Sequence, residues 1–178
     1  MRNSKFRVAA VLAGVVAWTS LQSYGVSGAA GPTNAGFAYV SAVGDHVGGG
    51  DTQRVTSENG DFTVRSSAGS VEVMALYQRD GQLTFVNITL AAPRGQVITT
   101  GTYEGARRAA FREGNTPGID VVAHGRGCSD VFGKFTVRHV GYGTNGAPAS
   151  FVADFEQHCE SPTAPVLRGS VAVRSVRS

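Results

Sequence analysis

Three ionisable side chains stand at every second position of the stretch FVADFEQHC, residues 151–159: Asp154, Glu156 and His158. On an extended chain that spacing aims all three at one side, where two carboxylates and an imidazole could hold a divalent cation or move a proton. The opposite parity argues for a plainer use. Phe151, Ala153, Phe155 and Cys159 form an apolar set that must face a core, so the acids face away from it. In the preceding segment KFTVRHV, Phe135, Val137 and His139 share the apolar parity, and Lys134, Thr136 and Arg138 the other. If the two segments pair with their apolar faces together, Lys134 and Arg138 meet Asp154 and Glu156, and each cross-strand pair of opposite charge stabilises by about 0.2–1 kcal/mol. The stretch reads as the wet face of a sheet rather than a metal centre, and His139 as a core or rim histidine.

The other reactive residue types are scattered. His46, His124, His139 and His158 sit in no HExxH-type motif, and no GxSxG elbow is present. Ser129, Asp130 and His124 are neighbours in sequence, which is no warrant for the geometry of a triad. Asp45 and Asp51 bracket the run GDHVGGGD and could offer oxygens to calcium. Calcium takes about six to eight oxygens, however, and two carboxylates in a Gly-rich run read more simply as a flexible loop. The expectation is therefore no catalytic residue, no metal and no cofactor.

The elements that position these residues begin after a leader. Arg2, Lys5 and Arg7 precede the apolar run from Val8 to Leu21, and VSGAAG supplies the small residues of a signal-peptidase site, with cleavage after Ala29 or Ala30. The run is short for a retained span, which requires about 20 apolar residues. Residues 1–30 thus read as a secretory signal peptide and 31–178 as one domain, secreted or periplasmic, with no membrane span. The leader holds three of the sixteen basic residues and none of the thirteen acids, so thirteen of each remain. A neutral domain argues against a nucleic-acid partner, which demands a net basic face. Arg107, Arg108 and Arg112 in ARRAAFR are the one local basic cluster.

What remains is patterned as strands and turns. TQRVTSENGDFTVRSS alternates on both sides of Asn59-Gly60, and VEVMALY and LTFVNITLAA flank Asp80-Gly81, so each pair predicts a hairpin. GIDVVAHG, KFTVRHVGY, SFVADFEQHC and VLRGSVAVRS continue the series. Together they predict an all-β fold, an antiparallel β-sandwich or barrel. The one opening for a short helix is TYEGARRAAFRE, where Tyr103, Ala106, Ala110 and Phe111 recur at helical spacing. Cys128 and Cys159 are the only cysteines, and in an exported chain one disulfide is the default. Its loop length gives about 3–4 kcal/mol in the chain-entropy treatment.

The boxes GDHVGGG, GTYEGARRAAF, HGRGC, GKFTV, FVADFEQHCE and LRGSVAV occur in this order. The succession resembles a family of exported bacterial β-sandwich domains, largely uncharacterised, that carry a GRGC box and an FxxxFxxHC box around paired cysteines. Ser129 stands where that pattern often has Asn, and Ser161 where it often has Gly. The resemblance implies a Cys128–Cys159 bridge and an extracytoplasmic setting, and it brings no catalytic residue.

Two roles then stand open: a non-catalytic envelope or extracellular interaction module, and a domain that binds a small ligand such as a carbohydrate. Trp18 leaves with the leader, so sugar stacking would rest on Tyr39, Tyr77, Tyr103 or Tyr142. Tyrosines in strands more often belong to a core or its rim. The leader reading carries its own test: intact-mass analysis of the exported protein should place the N-terminus at Ala30 or Gly31, and a full-length, cell-bound product would refute cleavage.

Overall fold

The computed structural model describes residues 34–174; the leader and the sites at Ala29 and Ala30 lie outside the described residues. Ten strands follow one another: β1 (Asn34–Ser41), β2 (Thr52–Thr56), β3 (Gly60–Ser67), β4 (Ser70–Arg79), β5 (Gln82–Ala91), β6 (Gly101–Arg108), β7 (Gly118–Ala123), β8 (Val131–Tyr142), β9 (Pro148–Cys159) and β10 (Val166–Arg174). They run in the order β2-β1-β10-β9-β8-β6-β7-β5-β4-β3, in one sheet curled until it is nearly closed like a barrel. Every pairing is antiparallel except β6 with β7. The alternation of each strand explains the curl: Phe37, Tyr39, Val86, Ile88, Phe135, Phe151 and Val171 all point inward and are buried in one core. Gly169 allows the tightest contact there. A Cβ at that position would lie 2.5 Å from Phe155 Cζ, in the ring that stacks on Phe37 with centroids 5.7 Å apart.

Closure depends on β6 changing partners. Gly101–Ala106 pairs with β8, and then Arg107 and Arg108 pair with β7. Between the two, a bulge at Glu104–Gly105 adds a residue, and Gly105 takes φ 64°. The segment TYEGARRAAFRE, the one opening for a short helix, is strand up to Arg108 and turn after it, and among the described residues none is helical. The bulge explains the helix-like spacing. With one extra residue, Tyr103 and Ala106 both turn toward the core at a spacing of three, which mimics a helical repeat. A second irregularity, between Val137 and His139, does the same in β8. Val140 then packs on the core in place of His139, which is exposed and meets the Ser150 hydroxyl at 2.9 Å. The core-or-rim reading of His139 is corrected accordingly.

The two turn dipeptides part company. Asp80 (φ 51°) and Gly81 (φ 76°) both adopt the left-handed conformation a two-residue hairpin needs, and Arg79 pairs with Gln82. Asn59-Gly60 makes no hairpin, since neither residue has positive φ. Instead β2 pairs with β1 and β3 with β4, so the chain turns a corner between the two edges of the sheet. Asn59 Oδ1 accepts from the Thr56 N–H at 2.7 Å to hold that corner. Gly60 is needed for proximity: a Cβ there would sit 2.5 Å from Val55 Cγ1.

Cys128 and Cys159 are joined in a buried disulfide. It ties the segment before β8 to the end of β9, where Cys159 lies opposite Val131. Beside it is a polar group in the core. Gln157 occupies the inward parity of β9 and is fully buried; its Oε1 accepts from the Val121 N–H at 2.8 Å and its Nε2 donates to the Val121 carbonyl at 3.2 Å. Strand β7 is paired with β6 only at Gly118 and Ile119, so the Gln157 amide takes the place of a strand partner for Val121. Replacing Gln157 by Leu keeps the bulk and orphans both groups. It should destabilise by about 1–3 kcal/mol per orphaned group, read from the urea midpoint; an unchanged midpoint would show that the amide is dispensable.

Candidate functional site: the polar cluster around His124

His124 follows β7 with φ 53°, a backbone reversal that swings its ring over the end of the barrel. Three strands bring partners to it. Tyr39 from β1 places its hydroxyl 2.9 Å from Nε2, Tyr77 from β4 places its own at 3.5 Å, and Arg79 Nη1 lies at 2.8 Å. On the other side of the ring, Thr84 Oγ1 from β5 is 3.3 Å from Nδ1. Because a guanidinium can only donate, Nε2 must be the acceptor and Nδ1 carries the proton, toward Thr84. Arg79 also reaches out to Asp51, Nη2 to Oδ2 2.5 Å, and so ties the Gly-rich loop before β2 to the cluster.

The electrostatics agree with a neutral ring. Burial and then the Arg79 and Arg126 cations hold the imidazole pKa below its ordinary value, against the weaker pull of Asp51. Burial raises the Tyr39 phenol, and it pushes Tyr77 up to about 12. The Arg79 hydrogen bond lowers Asp51 and raises Arg79 itself. The Nε2 lone pair is engaged by Arg79 and both phenols stay protonated. The Tyr39 and Tyr77 hydroxyls and Arg79 all crowd the same ring nitrogen, Tyr77 at the longest distance.

Asp45 and Asp51 have different hydrogen-bond partners. Asp45 is buried within its own loop, where Oδ2 accepts from Ser41 Oγ and the Gly48 N–H, both at 2.7 Å. Asp51 belongs to Arg79. The run that reads as a flexible loop is thus a pinned one, held also by Arg126 Nε donating to the Val47 carbonyl at 3.1 Å. Nor does a triad assemble. Ser129 and Asp130 receive the Glu160 carboxylate on their backbone N–H groups, whereas His124 lies in its own cluster.

The residues of FVADFEQHC lie where their parity puts them. Asp154 is half-exposed and paired with Arg138. Glu156 lies opposite Lys134 in register, bonds Arg168 Nε at 2.8 Å and meets His158 Nε2 at 3.3 Å. Desolvation pushes its pKa up, but the hydrogen bonds from Arg168 and His158 outweigh it and hold the carboxyl below its ordinary value. His158 Nδ1 donates to the Ala164 carbonyl at 2.6 Å. Among the described residues, His, Cys, Asp and Glu side chains nowhere gather in threes at metal-binding spacing. In the basic cluster, Arg107 lies 3.9 Å over the Phe132 ring, Arg108 pairs with Asp120 at 3.2 Å, and Arg112 donates to the carbonyls of Ala92 and Ala109.

Sequence reasoning missed His124 as a centre and Gln157 as a core group. Parity alone could have found Gln157, which stands among the inward residues of its strand. Nothing local marks His124, whose partners come from residues 39, 77, 79 and 84.

The fold and the cluster define a disulfide-bonded, all-β protein whose sheet nearly closes on a filled core. Compared with known proteins, the chain matches no family model, no curated protein and no solved structure.

The depressed His124 pKa has a stability consequence. Between its folded value and the ordinary 6.5, the unfolded chain binds a proton that the native protein refuses, so stability falls as pH drops through that window. The depressed Asp51 carboxyl acts lower, its contribution being lost only as pH falls below the ordinary 3.8. Urea midpoints measured from pH 7.5 down to 4.5 should decline, and His124→Gln should flatten that decline. A slope unchanged in the variant would assign it to other groups.

Proposed function

We propose that the protein is a secreted or periplasmic, non-catalytic module that works by contact with another macromolecule. The observation that carries this reading is the filled interior. Phe37, Tyr39, Ile88, Leu90, Phe135 and Phe151 occupy the space that a ligand-binding barrel would leave open, each less than 2% exposed. The tyrosines available for stacking are engaged as well. Tyr39 and Tyr77 are buried on His124, Tyr103 stacks on Phe135 with centroids 4.6 Å apart, and the Tyr142 hydroxyl donates to the Ile98 carbonyl. The disulfide suits an oxidising compartment. Among the described residues no helix is long and apolar enough to cross a membrane.

The alternative, a small-ligand domain, draws on one feature. Where β6 bulges away from β8, the outer face carries an open groove of about 330 Å³ lined by Arg107, Phe132, Lys134, Glu156 and His158. Such a groove is within the size of a small-molecule site but lies at its low end. A melting-curve screen separates the two readings. The interaction module should show no saturable rise in Tm with mono- or oligosaccharides, and the immobilised oxidised protein should retain a macromolecule from the producing cell's envelope or medium. A saturable Tm rise with a sugar, lost on Arg107→Ala, would replace this proposal by the alternative.

A further inference from the structure

Among the described residues β3 ends the sheet, and its outer edge pairs with no other strand. Its hydrogen-bonding pattern follows from the two hairpins beside it. Arg79 and Gln82 flank the Asp80-Gly81 turn, so β4 bonds β5 through Arg79, Tyr77, Ala75 and their alternates, and turns Leu76, Met74 and Glu72 toward β3. Those three pair with Asp61, Thr63 and Arg65. The backbone N–H and C=O groups of Phe62, Val64 and Ser66 therefore point away from the sheet. Among the described residues they meet no backbone partner.

This edge has few of the usual guards against strand addition. It is eight residues long, carries no proline and has an unbroken register with β4. Beside it lies a cleft of about 310 Å³, bordered by Val64, Ser66, Asn145, Pro148 and Val173. On its outer face Asp61, Thr63 and Arg65 are exposed. The ion pair of Arg65 with Glu72 is long at 3.8 Å, and the Arg65 side chain is 70% exposed.

We infer that β3 pairs with β3 of a second copy of this chain, antiparallel about a two-fold axis at Thr63. Charge complementarity selects both the occupant and the register. Centred on Thr63, the pairing sets Asp61 opposite the partner's Arg65 and Arg65 opposite the partner's Asp61, two favourable cross-strand pairs by symmetry. Centring on Phe62 or Val64 instead sets Asp61 against Thr63 or Ser67 and forms neither. The same register satisfies the backbone, because Phe62 faces the partner's Val64 and these are the residues with free N–H and C=O groups. Below the axis, Phe62 and Val64 already belong to the core side of each barrel, so the joined edges continue one sheet from one molecule into the next. The inference is independent of the macromolecular partner proposed above.

Sedimentation equilibrium on the purified oxidised protein, from micromolar to millimolar concentration, should show a reversible monomer–dimer equilibrium. Asp61→Arg and Arg65→Asp should each weaken it about tenfold or more, and the double exchange should restore it. All four positions tested, Asp61, Thr63, Arg65 and Ser67, are exposed, and unchanged far-ultraviolet spectra would show that the variants fold. Thr63→Cys supplies a register-specific readout. In this pairing the two Thr63 residues form a non-hydrogen-bonded pair with Cα atoms about 4.5 Å apart, within reach of a disulfide. Oxidation should cross-link Thr63→Cys and leave Ser67→Cys monomeric. Wild-type protein that stays monomeric throughout, whether the edge is then vacant or takes a strand from a different protein, would overturn the inference. So would a double exchange that fails to restore the dimer, or equal cross-linking of the two cysteine variants.

Discussion

Peptide groups at the seams of an incompletely closed sheet need partners, and the structure turns on how it supplies them. Curling ten strands around one core brings β6 and β7 together in parallel for only two residue pairs. Beyond that point Val121 would present a naked N–H and C=O to the core, at a cost of about 1–3 kcal/mol for each unsatisfied group. Gln157 removes that cost with one planar amide, which offers an acceptor and a donor in the geometry a neighbouring peptide would. The disulfide lies beside it, with Cys128 Sγ 3.3 Å from the same amide nitrogen. Covalent and hydrogen-bonded closure thus meet at one place, where the strand order would otherwise leave a gap.

The two ends of the sheet meet the same requirement differently. At the corner between β2 and β3 the chain closes the gap through Asn59 and the bare Cα of Gly60. Farther along, β3 leaves the corner and among the described residues its outer edge pairs with no strand, the Ser66 hydroxyl donating to the Pro148 carbonyl at 2.9 Å. The end of the barrel is sealed by side chains. Two tyrosines lend their rings to the core and their hydroxyls to His124, and the Arg79–Asp51 pair locks the Gly-rich loop over them. The hydrogen bonds of this group join β1, β4 and β5 to the residue that follows β7.

Much of the sheet is legible in the order of the residues. The parity of FVADFEQHC places Phe151, Ala153 and Phe155 inward and Asp154 and Glu156 on a face shared with Lys134 and Arg138, because side-chain direction in a strand depends only on odd and even position. Asp80-Gly81 announces its hairpin for an equally local reason, the low cost of positive φ at both residues. The candidate site is not legible in this way. Its histidine has no motif, and the residues around it are separated from it by tens of positions in the chain.

Short-range alternation and simple counting suffice for the all-β class, for the inward and outward faces of most strands and for the pairing of the only two cysteines. Where that alternation slips is a matter of three-dimensional packing. The bulges at Glu104–Gly105 and near His139 arise because β6 must serve two partners and β8 must stay in register with a curving β9. Packing likewise makes Asn59-Gly60 turn a corner. A dipeptide sets which dihedrals are cheap, but the strand that stands beside it is chosen by core burial across the whole sheet, and no local pattern carries that information.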